Sequence, residues 1–122
     1  MDQTSHGKDV LDGLKRPAVQ LRRLIPEVLE AYAGLSRAAM ADGALDVRTK
    51  ELIALAIAAT RQCDACIASH ARSARRAGAT DVEVAEAMGV VIMMNGGPGT
   101  VYGPRALAAF NEFSEIAPEH NH

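Results

Sequence analysis

Two runs, residues 52–59 (LIALAIAA) and 87–94 (AMGVVIMM), present apolar side chains on nearly every side of a helix. A helix of that kind is stable only when covered all round. Neither run approaches the roughly 20 residues that a membrane span needs, so the cover must be protein. The chain has 122 residues, enough for one domain with a modest core, and little polypeptide remains to wrap both runs. Self-association is the economical answer, so a homo-oligomer with these segments at its centre is expected. Composition favours helices as well: 48% of residues are hydrophobic but only 3% aromatic, and there is no Trp. A core of Ala, Leu, Ile, Val and Met suits close-packed helices better than a sheet, whose strands favour aromatic and β-branched residues.

The fold class expected is therefore all-α, a compact bundle of about five helices. Pro26, well suited to a first helical turn, opens the first, in which Val28, Leu29, Tyr32 and Leu35 space one apolar stripe before the turn at residues 41–44 stops it near Met40. Asp46 can cap a second helix running to about Arg61. A third starts near Cys63 and ends at Gly78, a residue favoured just past a helix end. Thr80 and Glu83 fit a capping box for a fourth, which Asn95-Gly96-Gly97 closes. A fifth runs from about Pro98 to about Ile116, before Pro118. Residues 1–24 read as a polar N-terminal arm, mobile or loosely docked over residues 1–16, residues 25–117 as the helical domain, and 118–122 as a tail.

Thirteen basic and fifteen acidic residues leave a formal charge of −2. That balance offers no long-range attraction to nucleic acid or to an anionic membrane, so neither is expected as a partner. Residues 1–16 lack the apolar core of a signal peptide, and a cytoplasmic location is expected. The two cysteines lie three apart, which in a reducing compartment points to redox chemistry or metal binding rather than a structural staple.

The informative stretch is Arg61-Gln62-Cys63-Asp64-Ala65-Cys66-Ile67-Ala68-Ser69-His70. On a helix, Cys63, Cys66 and His70 fall one turn apart and project from one face. Cys63, near the helix N-terminus, gains thiolate character from free amides and the helix dipole. It is also expected to be the more exposed of the two. His70, four residues after Cys66, is placed to accept its proton, and a cysteine becomes a useful nucleophile when a base supplies the thiolate. Other readings stay open at this point. The cysteines can be inert core residues. Glu51 can join Cys63, Cys66 and His70 as a fourth metal ligand, although no second C-x-x-C or H-x-x-H supports a zinc site. Glu51 by itself can be a favourable charge near a helix start.

Residues 49–58, then Cys63-Asp64-Ala65-Cys66-Ile67 with His70, then Ala77-Gly78-Ala79-Thr80, closely resemble the alkylhydroperoxidase D-like core of the carboxymuconolactone decarboxylase family. Residues 94–102 resemble the matching region of its short, single-core members. The resemblance covers about residues 25–117. Its specific part is a Glu, eleven residues, C-x-x-C, three residues and a His. It implies an all-α bundle that assembles into trimers or hexamers, and a catalytic set of Glu51, Cys63, Cys66 and His70 that needs no metal or other cofactor. In that scheme Glu51 orients and charge-compensates His70, and His70 deprotonates Cys66. Cys66 attacks a hydroperoxide, Cys63 closes the disulfide, and an external dithiol restores both thiols.

One departure bears on activity. Peroxide-reducing members carry a second histidine between the cysteines, where this chain has Asp64 and Ala65. The resemblance then implies weaker peroxidase turnover, with disulfide exchange the more robust property, and Asp64 adds negative charge beside Cys63. Two alternatives belong to other classes: lactone decarboxylation, which needs no redox pair, and a non-enzymatic redox sensor. Lesser candidates are Tyr102 and Asn95 as pocket residues and Arg72, Arg75 and Arg76 as a solvated or subunit-contact face. Residues 96–99 are glycine-rich but lack the Lys and Ser/Thr of a phosphate loop. His6, His120 and His122 suggest no preformed site.

Overall fold

A computed structural model describes residues 5–114. Those residues form six helices and no strand: α1 Lys8–Leu24, α2 Pro26–Met40, α3 Val47–Thr60, α4 Asp64–Arg76, α5 Asp81–Asn95 and α6 Gly99–Glu112. The all-α expectation holds, with one helix more than expected.

Local chemistry explains most boundaries. The Asp46 carboxylate accepts from the Thr49 amide at 2.8 Å and opens α3. Thr80 and Glu83 exchange both bonds of a capping box at the start of α5. Ile25 separates α1 from α2, with Pro26 at the first position of the latter. The last helix stops at Glu112 rather than near Ile116, which lies outside the described residues, because Phe113 leaves the helix to bury its ring.

The core lies among α3 to α6. Leu55, Ile67, Val84 and Phe110 are fully buried, and Ala58, Ala71, Ala74, Ala106 and Ala109 fill the space between them. So many alanines let helix axes approach closely. At Gly99 the α6 backbone lies so near α5 that a Cβ there would lie 2.8 Å from the Ile92 Cα and 3.0 Å from the Val91 carbonyl oxygen.

The polar arm needs correction. Residues 8–24 form the continuous helix α1, even though Pro17 lies inside it and removes one backbone bond. Gly13 and Pro17 mask the stripe of Leu11, Leu14, Ala18 and Leu21 that makes this segment amphipathic. Its start is tied down. Glu112 accepts from the Ser5 hydroxyl at 2.7 Å and from the His6 and Lys8 amides at 2.8 and 3.0 Å, while Gly7 packs so tightly that a Cβ would meet the Phe113 ring at 2.9 Å. Burial alone would raise the Glu112 pKa, but these bonds outweigh it and hold the carboxyl below its ordinary range. The clamp therefore stabilises the docked arm above the usual carboxylate range and loses that contribution as pH falls through it.

Neither α1 nor α2 contains a fully buried residue. Of the apolar stripe on α2, Val28, Tyr32 and Leu35 are 60%, 67% and 66% exposed in the single chain. The two runs expected to be covered all round bury one side each. Leu55, Ala58 and Ala59 turn inward on α3 and Met88 and Val91 on α5, while Ile53, Ile57, Val90, Met93 and Met94 lie on the surface of the single chain. Ala56, Ile57, Val90 and Met94 line an apolar cleft between α3 and α5. No helix among the described residues is long and apolar enough to cross a membrane.

Candidate active site

The turn between α3 and α4 contains almost no loop. At its start, the Gln62 amide donates to the Ala59 carbonyl at 3.1 Å and the Cys63 amide to the Ala58 carbonyl at 3.2 Å. This paired pattern closes a helix through a residue in the left-handed region, a place usually taken by glycine. At the end of α4 that residue is Gly78, with φ 89°. At the end of α3 it is Gln62, with φ 57°, a conformation that costs about 1–2 kcal/mol for a residue with a Cβ.

Cys63 then ends one helix and begins the next. Its amide caps α3, and its Sγ accepts from the Cys66 amide at 3.3 Å at the start of α4. Cys63 and Cys66 are joined as a disulfide, their Cα atoms 5.3 Å apart. The exposure of the pair is the reverse of that expected: Cys66 is exposed and Cys63 half-buried. The physical reason is the cap. A sulfur folded back over the first amides of α4 is screened by them, whereas residue 66, one turn on, projects outward.

Glu51 and His70 meet across the α3–α4 interface. Glu51 lies one turn inside α3, is 7% exposed, and its Oε1 is 2.8 Å from His70 Nδ1. It is therefore not a helix-end charge. A neutral imidazole that donates through Nδ1–H to this carboxylate keeps Nε2 as its basic nitrogen. His70 is half-buried on α4, one turn beyond Cys66. The four residues named from sequence thus lie on two adjoining helices, as two bonded pairs. Among the described residues, no three His, Cys, Asp or Glu side chains are grouped so as to hold a metal ion.

The carboxylate of Asp64, expected to oppose a thiolate at Cys63, is paired. Arg105 Nη1 on α6 lies 3.6 Å from Asp64 Oδ1, and the same guanidinium lies 4.7 Å from the centroid of the Tyr102 ring. Sequence reasoning passed over Arg105, because a cross-helix pair has no local signature; its spacing of three from Tyr102 on α6 was the one clue. Asn95 is structural, donating to Thr60 Oγ1 at 3.1 Å and to the Val91 carbonyl at 2.8 Å. Arg75 is not simply a solvated cation: it donates to the Ser114 carbonyl at 2.7 Å and stacks on Phe110. Burial, with Arg76 nearby, pulls the Arg72 pKa down. His6 contributes its amide to the Glu112 clamp, and His120 and His122 lie outside the described residues.

If the Glu51 carboxylate holds His70 in place as the base for Cys66, Glu51→Gln in the reduced protein should slow alkylation of Cys66 by about ten-fold near neutral pH with unchanged helix content. Equal rates for variant and parent across pH 6 to 8 would separate Glu51 from thiol activation.

Residues 26–115 match the carboxymuconolactone decarboxylase family. A protein of Cupriavidus necator is 38% identical over 108 residues, covering 88% of this chain and 96% of that one. The crystal structure of a carboxymuconolactone decarboxylase family protein from Legionella pneumophila superposes with a TM-score of 0.84 at 39% identity, over 87% of this chain and 95% of the other. A family member from Thermotoga maritima, described with a suggested part in an antioxidative response, superposes with a TM-score of 0.74 at 27% identity, covering 88% and 92% of the two chains. The fold, the C-x-x-C pair and these likenesses agree, and the chain belongs to the carboxymuconolactone decarboxylase family.

Proposed function

We propose that this protein is a thiol-dependent oxidoreductase that reduces hydroperoxides or disulfides with Cys63 and Cys66 as its redox pair. The observation that carries the reading is the part-buried Glu51–His70 bond one helical turn from a cysteine pair already within disulfide reach. A carboxylate–imidazole couple placed there has an evident use as a base for a thiol.

In the peroxide reaction, His70 takes the Cys66 proton and the thiolate attacks the terminal peroxide oxygen. An S–O bond forms, the O–O bond breaks, and the alkoxide leaves as the alcohol after receiving a proton, leaving Cys66 as a sulfenic acid. Cys63 attacks that sulfur, an S–S bond forms, and the hydroxyl departs as water with the Cys63 proton. An external dithiol then returns two electrons by two thiol–disulfide exchanges. The exposed Cys66 is the sulfur it can reach, and Cys63, whose Sγ accepts an amide at the α4 N-terminus, is the better leaving thiolate.

The exposed apolar side chains of α2, α3 and α5 support assembly of several copies, and a trimer or hexamer is proposed. The need for an external dithiol fits a cytoplasmic setting, where such reductants are maintained.

Titrating the reduced protein anaerobically before and after one equivalent of cumene hydroperoxide tests the activity. Loss of both thiols per chain, with formation of the Cys63–Cys66 disulfide, is expected. Retention of both thiols would overturn the peroxide reaction, and resistance to a disulfide substrate as well would overturn the oxidoreductase reading.

A further inference from the structure

The guanidinium of Arg105 stands beside the redox turn with features of a recognition group. Asp64, its ionic partner, is the residue immediately after Cys63 and the first of α4. The pair is loose: at 3.6 Å it is beyond hydrogen-bonding distance, and the two side chains remain 36% and 54% exposed. Ion pairs of this kind contribute little to stability, since solvent screens them and two long side chains must be held. The aromatic face of Tyr102, itself packed against the core, also lies against the cation. Arg105 is thus held against an aromatic ring and only weakly committed to its carboxylate. A guanidinium donates two parallel N–H bonds to the oxygens of a carboxylate in one plane, and an incoming carboxylate can replace Asp64 at small cost.

The geometry points to Arg105 as a specificity residue that selects substrates carrying a carboxylate close to the O–O or S–S bond to be reduced, with Asp64 as the internal competitor for the same cation. This rests on the oxidoreductase reading for its substrate class. Asp64 serves two ends in that case. It keeps the guanidinium in place while the site is empty, and as a competitor it lowers the affinity for every incoming anion.

The test uses matched disulfides on the reduced protein: the dianionic 5,5′-dithiobis(2-nitrobenzoate) and the neutral 4,4′-dithiodipyridine. With either probe, one protein thiolate attacks the S–S bond and releases a thiolate of the probe. The second protein thiolate then closes the Cys63–Cys66 disulfide and releases the other. Dividing the anionic by the neutral rate removes any change in thiolate reactivity itself. Arg105→Gln should lower this ratio by about three- to five-fold, and Asp64→Asn should raise it by a similar factor. Added salt should bring the wild-type ratio toward that of Arg105→Gln.

The opposite directions are decisive, because both substitutions break the same ion pair. A purely structural pair would move the ratio the same way in both variants, or not at all, and either result overturns the proposal. Should Arg105→Gln fail to fold, the rise in Asp64→Asn and its suppression by salt still decide the matter. Cumene hydroperoxide, which carries no carboxylate, tests the underlying reading separately. A wild-type protein inert to both it and the neutral disulfide would sink that reading, whereas normal reaction with unaltered ratios would sink only the role of Arg105.

Discussion

Cys63→Ser should leave a sulfenic acid at Cys66 that a dimedone-type probe traps after one equivalent of peroxide, with turnover stopped after that single oxidation. Cys66→Ser should give neither trapping nor peroxide loss. Both variants should keep the helix content of the parent, since serine at position 63 can still cap α4 and position 66 is exposed. The assignment weighs two effects. Cys63 has the amide bond and the helix dipole, worth about 0.3–1 kcal/mol when partly exposed. Cys66 has the histidine one turn away, itself bonded to a buried carboxylate, and the open surface that a peroxide must approach. A positioned base outweighs a partial dipole, and with Arg105 pairing Asp64 the local charge no longer distinguishes the two sulfurs strongly. Labelling of Cys63 in the Cys66→Ser protein would reverse the roles.

Phe110→Ala should be among the most destabilising single substitutions in the chain. The ring is 1% exposed, sits among alanines that cannot expand to fill its place, and carries Arg75 at 5.5 Å from its centroid. Removing a buried phenylalanine costs about 3–5 kcal/mol, a large part of the 5–15 kcal/mol typical of a whole domain. Chemical denaturation should show a correspondingly lower midpoint with a loss of cooperative packing around α4 and α6. Val28→Ala provides the contrast. At 60% exposure on α2 it should change stability by less than about 0.5 kcal/mol in an isolated chain. A much larger loss at Val28 would mean that another copy covers this face, as the proposed assembly requires.

What was readable in the sequence was local. Asp46, Thr80 with Glu83, and Gly78 mark helix ends because each satisfies free backbone groups within a few residues of itself. The same locality hid α1. Gly13 and Pro17 are unfavourable to a helix when judged alone, and the bonds that anchor this one come from Glu112, more than a hundred residues away. The cysteine–histidine spacing was evident from residues 63–70, but the pairing of Glu51 with His70 was available only through family resemblance, since nothing near Glu51 indicates which way it turns. The inverted exposure of the two cysteines and the Arg105–Asp64 contact depend on how a cap folds and how α6 lies on α4. Neither has a sequence signature.

The shared position of Cys63, final anchor of α3 and first residue of the next cap, bears on how redox state can be communicated. A hinge needs slack, and this junction has none: each backbone amide from Arg61 to Cys63 is committed to a carbonyl of α3. Gaining or losing the disulfide therefore cannot swing one helix against the other without first unravelling an end of α3. Oxidation should be nearly silent to far-ultraviolet circular dichroism and to overall dimensions, yet plainly visible in the nuclear magnetic resonance signal of the Cys66 amide, whose acceptor is the Cys63 sulfur itself. Any partner that distinguishes the two states must do so by touching the sulfurs or their immediate surroundings, because the scaffold has no mechanical means of broadcasting the difference.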